Sequence, residues 1–487
     1  MTERTKIAWI YLAAAFFLAV SLFLVIEKGV YYFYALPLVL GILLLYVFSL
    51  DKVLLLISFL TPLSIEVQNL EAGLGISLPV EPLLIGIMVL FIAKLLHERS
   101  YDRAVANHPI AWVIYLILFW MFITTLTSEL PVVSIKHLIS YLWFVIPAFF
   151  VGAMVFKKPN NIHWFVWLYN SALVIVIIYT VAHHAQYGFS DKSAHWVMSP
   201  LYNDHTAYGA ALAIFLIMTV GYMFYPGLSA IKKTGVLLMV FLLTIAVVLS
   251  LSRATWLSIA VALIVLIAVR LRIKFRWMAI TFGLFIAIIF TFQHQILDVM
   301  EKNKQDSSAD IVEHVQSMYN ISSDASNLER INRWQAALRL YHERPFFGWG
   351  PGTYQFVYGP FQRSKEKTII STNAGDMGNA HSEYIGPLSE MGMPGMLLVF
   401  LLVGTMIYRG LKTYQKARSK EVRVLSLSAT LALISYFVHG FLNNFLDTDK
   451  LSVPVWGLMA IIVVMDVFYA NQETFSEVSQ HTDRVEE

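Results

Sequence analysis

Residues 234–276 read TGVLLMVFLLTIAVVLSLSRATWLSIAVALIVLIAVRLRIKFR. Two apolar runs, 234–251 and 253–270, abut at Ser252-Arg253, and each is about as long as a bilayer core requires of a helix. They therefore form a helical hairpin whose tight turn lies at a membrane face. The second run ends in the basic cluster Arg270, Arg272, Lys274 and Arg276, which marks the cytoplasmic side. The rest of the chain follows the same pattern. Of 487 residues, 58% are hydrophobic and 14% charged, and mean hydropathy is +0.65. Soluble domains carry about a quarter charged residues. This composition excludes a soluble enzyme, a disordered chain and a nucleic-acid binder. The chain lacks cysteine, which excludes disulfides, thiolate metal sites and cysteine nucleophiles.

Fourteen segments are candidates to span: 7–26, 30–50, 53–67, 79–97, 109–127, 134–156, 162–183, 206–225, 234–251, 253–270, 277–296, 383–408, 424–443 and 451–470. The third is short and interrupted by Pro62, which marks it as re-entrant. The first lacks a small-x-small cleavage pattern and reads as a span rather than a leader. With the N-terminus in the cytoplasm, the short inner loops hold twenty Lys and Arg. The short outer loops and their flanks hold five, namely Lys28, Lys136, Lys192, Arg253 and Lys450. The expectation is an all-α polytopic membrane protein with about 12–14 transmembrane helices and both termini cytoplasmic. Its parts are helices 1–11 over 1–296, a large outer loop containing short helices over 297–382, helices 12–14 over 383–470 and a disordered cytoplasmic tail over 471–487.

The outer loop is balanced, with nine Lys/Arg against ten Asp/Glu. Its first part is polar and mobile by composition. Its second part places Ile331, Trp334, Ala337, Leu338 and Tyr341 at helical spacing over 328–342, with Asn327 as N-cap and Pro345 as stop. An aromatic, glycine-rich turn, Pro345-Phe-Phe-Gly-Trp-Gly-Pro-Gly352, follows.

Unusual polar residues gather on the outer face. Arg253 is the single arginine of the short outer loops. Its planar fork suits phosphate oxygens, although its stem also suits snorkelling. Arg330 and Arg333 are spaced to share one helix face, which is either functional or merely solvated. His381 opens the twelfth span and has the ordinary pKa of a general base. Asp204 precedes the eighth span, and Asn443, Asn444 and Asp447 follow the thirteenth. Glu383 is close enough in sequence to raise the pKa of His381 or share its proton. Glu390 lies inside a span. Neither a P-loop nor a dinucleotide fingerprint is present, and His183, His184 and His195 lack dependable metal spacing.

These motifs resemble the O-antigen ligase / O-antigen polymerase superfamily of bacterial membrane glycan transferases. His381-Ser382, nine residues and Gly392-Met-Pro-Gly395 fit the ligase pattern. Ser252-Arg253-Ala-Thr-Trp, Arg330-Ile-Asn-Arg-Trp334 leading to Arg344-Pro-Phe-Phe-Gly-Trp-Gly-Pro-Gly352, and Asn203-Asp-His-Thr-Ala207 are similar to further family stretches. In the last of these, Thr206 replaces the usual Asn. The resemblance covers about residues 200–400. It implies transfer of a glycan from an undecaprenyl-diphosphate carrier to an acceptor hydroxyl, of lipid A–core or a similar acceptor, at the periplasmic face of the inner membrane. The reaction needs neither cofactor nor metal and inverts the anomeric centre. His381, Arg253 and Arg330 would be catalytic. Arg333, Asp204, Glu383, Trp349 and Tyr354 would contact substrate, the aromatics either stacking on sugars or anchoring the loop. Polymerase and protein O-oligosaccharyltransferase reactions use the same residues. A lipid-linked glycan transporter is the alternative outside enzymes.

Overall fold

The structure, a computed structural model, describes residues 48–67, 75–274, 328–364 and 378–473, with scattered positions at the margins of these stretches. The chain divides into two contact units, Met1–Ile57 and Ser58–Glu487. Among its described residues, the second holds ten helices long and apolar enough to cross a membrane. They are α1 (Val80–Glu98), α2 (Pro109–Leu126), α3 (Pro131–Val155, with a wide turn over Ile146–Val151), α4 (Pro159–Gln186), α5 (His205–Met223), α6 (Ala230–Leu249) and α7 (Arg253–Arg270). After the loop helix α8 (328–343) come α9 (Ile385–Lys416), α10 (Lys420–His439) and α11 (Asp449–Tyr469). A two-stranded antiparallel hairpin pairs β1 (Ile65–Val67) with β2 (Ile76–Leu78) in the register Ile65–Leu78. This is an all-α, multi-pass membrane protein.

Ten of the fourteen expected segments are these helices. Segments 7–26, 30–50 and 277–296 lie largely outside the described residues. Segment 53–67 differs. The helix Leu50–Leu60 lasts 11 residues and tightens into a 3₁₀ turn at Thr61–Leu63. Pro62 supplies no backbone N–H to continue it. The chain then turns into β1, so this is a half-helix. Lys450 satisfies its last carbonyls, its Nζ donating to Thr61 O at 2.8 Å and Ser64 O at 2.6 Å.

Local sequence explains the helix starts. Pro stands in the first turn of α2, α3 and α4, where a missing N–H costs nothing. The side chains of Asp204, Ser229, Ser252 and Ser419 accept from the first-turn amides of α5, α6, α7 and α10. α5, α10 and α11 form the buried centre, whereas α6 and α7 are largely open to lipid. Lipid is as apolar as leucine, so these helices associate through close packing and hydrogen bonds. Gly221 of α5 meets Ser428 of α10, Gly410 of α9 meets Thr430 of α10, and Gly209 of α5 meets Ser252 and Thr255 of α7. Ser258 and Ser435 join α7 to α10 at 2.9 Å. Such interhelical hydrogen bonds average roughly 0.6 kcal/mol each.

The loop helix is rotated relative to its apolar pattern. Its buried residues are Glu329, Asn332, Arg333, Ala336, Ala337 and Leu340. Polar residues face inward because they satisfy one another. Arg333 Nε donates to Glu329 at 3.0 Å and Asn332 Nδ2 to Gln362 at 2.8 Å. Ala336, Ala337 and Leu340 pack with Tyr354, Tyr358 and Ala380 in a small core.

The aromatic turn is locked to α9. α9 kinks at Gly392, whose φ of +68° puts it in the left-handed region, and Gly348 has φ +67°. A Cβ on Gly348 would lie 2.6 Å from Met391 N, and one on Gly392 would lie 2.7 Å from Pro345 O. Trp349 N donates to Ser389 O (3.1 Å), Gly350 N to Glu390 O (2.8 Å) and Met393 N to Pro345 O (2.9 Å). The carboxylate of Glu390 accepts from Tyr354 N at 3.1 Å. On the other side, Ser134 of α3 donates to Pro351 O at 2.9 Å. The Gly-x-Gly and Gly-x-x-Gly motifs are thus two sides of one backbone contact. Gly348→Ala and Gly392→Ala should each cost about 1–3 kcal/mol through strain and collision. The expected readout is a lowered melting temperature of the detergent-solubilised protein. Gly235→Ala, inside α6 where the added Cβ meets open space, should not lower it.

Candidate functional site

The N-termini of α5, α7, α9 and α11 and the C-terminus of α10 meet at one end of the second unit. Ser252 and Thr255 at the start of α7 pack on Gly209, one turn into α5. Glu383 N, just before α9, donates to Gly440 O, just after α10, at 2.8 Å. Lys450 at the start of α11 lies over the ring of Tyr202, which precedes α5, at 5.2 Å. These are the helix ends that the charge asymmetry assigns to the less basic side.

His381 stands in this end, on the strand of chain that leads into α9. Its φ of +48° is unusual for a residue with a side chain. Three hydrogen bonds hold the turn. Asn379 Oδ1 accepts from His381 N at 3.1 Å, and Ser382 Oγ accepts from Tyr384 N and Ile385 N, each at 3.3 Å. The serine of the His-Ser pair therefore caps α9, and the histidine is displayed by the turn it closes. Burial pushes the His381 imidazole down to about 3, with Arg333 and then Arg330 adding to the effect and Asp204 and Glu329 opposing it. It is a neutral imidazole beside two guanidiniums.

The other expected residues divide into two groups. Arg330 is half-buried, and burial lowers its pKa while Asp204 opposes that shift. Asp204 caps α5, with Oδ1 accepting from Thr206 N (2.7 Å), Thr206 Oγ1 (2.6 Å) and Ala207 N (2.8 Å). Burial works to raise its pKa, but these donors and His205 hold it below the ordinary value. Thr206 thus supplies two of the three bonds that fix the carboxylate. Asp204, Arg330 and His381 form one electrostatic cluster from α5, the loop helix and the entry to α9. Arg253 opens α7, exposed, at the helix end that packs one turn from His205. The largest charges acting on His381 come from Arg333, Arg330, Asp204 and Glu329.

The second group faces inward. Arg333 is 8% exposed, bound to Glu329 and, through Nη1, to Asn379 O at 3.1 Å. It fixes the segment that carries His381. Tyr354 is buried, donates to Arg333 O at 2.7 Å and stacks on Tyr358 at 5.1 Å. Trp349 donates to Leu340 O at 2.9 Å under the guanidinium of Arg344 at 4.1 Å. For these two aromatics the visible contacts are those of loop anchors. Glu383 points away from the histidine. One oxygen accepts from Tyr436 OH (2.5 Å), Phe445 N (2.8 Å) and Leu446 N (3.1 Å), while burial raises its pKa. It fastens the entry to α9 onto the turn after α10.

Sequence reading passed over His439, the last residue of α10. It is 1% exposed, and the ionisable side chains that act on it are Asp204, Arg330 and His205. It ends an otherwise apolar run, and a lone histidine there gives no signal.

Among the described residues, no group of three or more His, Asp or Glu side chains is arranged to hold a metal. Two guanidiniums, two carboxylates and a neutral imidazole share one end of the helices. The fold is that of a multi-pass membrane protein with charged residues gathered at that end. Residues 238–400 match the protein family described as O-antigen ligase. A curated relative, an uncharacterized protein of Haemophilus influenzae (strain KW20/Rd), is 21% identical over 165 residues. The similarity covers 34% of this chain and 40% of that protein.

The His381 shift has a sign. The unfolded chain binds a proton below the ordinary histidine pKa of about 6.5, and the folded site refuses it until about 3. The stability from keeping it neutral is complete above that ordinary value and is lost as pH falls through this window. From pH 7 to pH 5 the melting temperature of the wild type should fall. His381→Asn, which tolerates the left-handed conformation, should fall less.

Proposed function

We propose that this chain is an O-antigen ligase-type glycosyltransferase. It transfers a glycan from undecaprenyl diphosphate to an acceptor hydroxyl, of lipid A–core or a comparable lipid, at the periplasmic face of the bacterial inner membrane. The observation that carries the reading is the convergence of Arg330, Asp204 and His381 at one end of the bundle, two of them within the segment that matches the O-antigen ligase family. A polyprenyl diphosphate is an anion anchored at the membrane surface, and this corner offers it fixed positive charge.

The mechanism follows from that charge. The acceptor hydroxyl attacks the anomeric carbon and gives its proton to the neutral imidazole of His381. The bond between the anomeric carbon and the phosphate oxygen breaks, and its electron pair leaves with the diphosphate. Arg330, with Arg253 at the rim, stabilises the charge that develops there. Direct displacement inverts the anomeric centre. The donor brings its own leaving group, so the reaction needs neither metal nor nucleotide. In the free site His381 is a weak base. A bound diphosphate offsets the field of Arg330 and Arg333, raises the basicity of the imidazole and so prepares the base as it loads the donor.

The reading predicts that Arg330→Ala and His381→Asn lower transfer at least about 100-fold without reducing membrane insertion, and that EDTA leaves the purified enzyme active. A gel profile of surface glycans from a strain lacking the gene checks the reaction. Uncapped lipid A–core together with long polymer on the carrier lipid is expected. A single repeat unit on the acceptor would instead make the chain a polymerase.

A further inference from the structure

His439 ends α10, the most enclosed helix of the bundle together with α11. Its imidazole is 1% exposed, and neither Nδ1 nor Nε2 has a hydrogen-bond partner. The ring lies 5.8 Å from that of Phe445, and the side-chain amide nitrogen of Asn443, itself 2% exposed, also lacks a partner. A buried polar group left unpaired costs about 1–3 kcal/mol. A leucine here would avoid that cost, so the fold alone gives no reason for a histidine.

The position of the ring suggests what pairs with it. The ionisable side chains that act on it, Asp204, Arg330 and His205, come from the loop helix and from the start of α5. Two of them, Arg330 and Asp204, also act on His381. The charge of Arg330 thus acts on both imidazoles, and the turn after His439 is joined to the entry of α9 by Glu383 N donating to Gly440 O at 2.8 Å. His381 hangs from the loop segment that enters α9, whereas His439 is the terminal residue of a membrane helix. We infer that His439 is a second substrate-contacting residue, hydrogen-bonding the diphosphate of the lipid-linked donor from the membrane side, with Asn443 as a further donor. This rests on the proposed glycosyltransferase reading. In that reading the sugar extends outward toward the loop and the diphosphate stays where the lipid chain begins, so the more deeply set imidazole meets the phosphates. A neutral imidazole presents one N–H, and a diphosphate oxygen accepts it.

The test uses the full-length protein in lipid nanodiscs with undecaprenyl diphosphate as the binding probe, and compares wild type, Arg330→Ala, His439→Leu and His439→Gln. The inference expects His439→Leu to bind the probe at least about tenfold more weakly and to raise the KM for donor more than that for acceptor. Its melting temperature should equal or exceed that of wild type, because an apolar side chain replaces an unpaired polar one. His439→Gln, which keeps an N–H, should recover part of the affinity. Probe binding by His439→Leu within twofold of wild type overturns the inference, as does a loss of binding only in step with a lost melting transition. If wild type itself fails to bind the probe, the glycosyltransferase reading falls and this inference with it. If wild type binds, Arg330→Ala does not and His439→Leu does, only the inference about His439 falls.

Discussion

The site depends on the contact between the turn at 345–352 and the kink of α9. Two backbones approach closely enough that a side chain on Gly348 or Gly392 would overlap the opposing chain, and three backbone hydrogen bonds close the gap. Everything that presents His381 hangs from this joint. α9 carries the capped turn at its start, the loop helix leads into the aromatic turn, and Arg333 ties the two by reaching the carbonyl of Asn379. An interface of peptide groups is stiffer than one of side chains, because it has no rotamers to exchange. A histidine held at positive φ persists only when its surroundings over-determine it.

Around that frame the charges are paired across elements. Glu329 is occupied by Arg333, and Asp204 spends one oxygen on the helix it caps while acting on Arg330. The cations are guanidiniums, which keep their charge when partly buried as lysines often do not.

Much of this was legible in the sequence. Length and hydropathy define the bundle, and the bias of Lys and Arg gives an expected side for its polar helix ends. Asp204 and His381 stand out as polar residues just before apolar runs, whereas Arg330 reads equally well as part of a solvated helix face. The remainder was hidden for physical reasons. Helical periodicity put Trp334 and Tyr341 on the inner face of α8, but Glu329, Asn332 and Arg333 turn inward because they satisfy one another, a pairing that no single-residue scale registers. Glu383 stands two residues from His381 and faces a turn more than fifty positions away. His439 carries no local signal at all, since only the tertiary arrangement reveals that its nitrogens lack partners.

The cluster is assembled from both inside and outside the segment that resembles O-antigen ligases. Arg330 and His381 lie within 238–400, whereas Asp204 and His439 lie beyond its two ends. The matched segment is therefore not a portable module. Grafted into another bundle it would bring its guanidinium and its displayed imidazole, yet the helix cap facing the one and the deeper imidazole beneath the other would come from the host. Divergence in the flanking helices can thus retune the electrostatics of the cluster while leaving the recognisable motifs untouched.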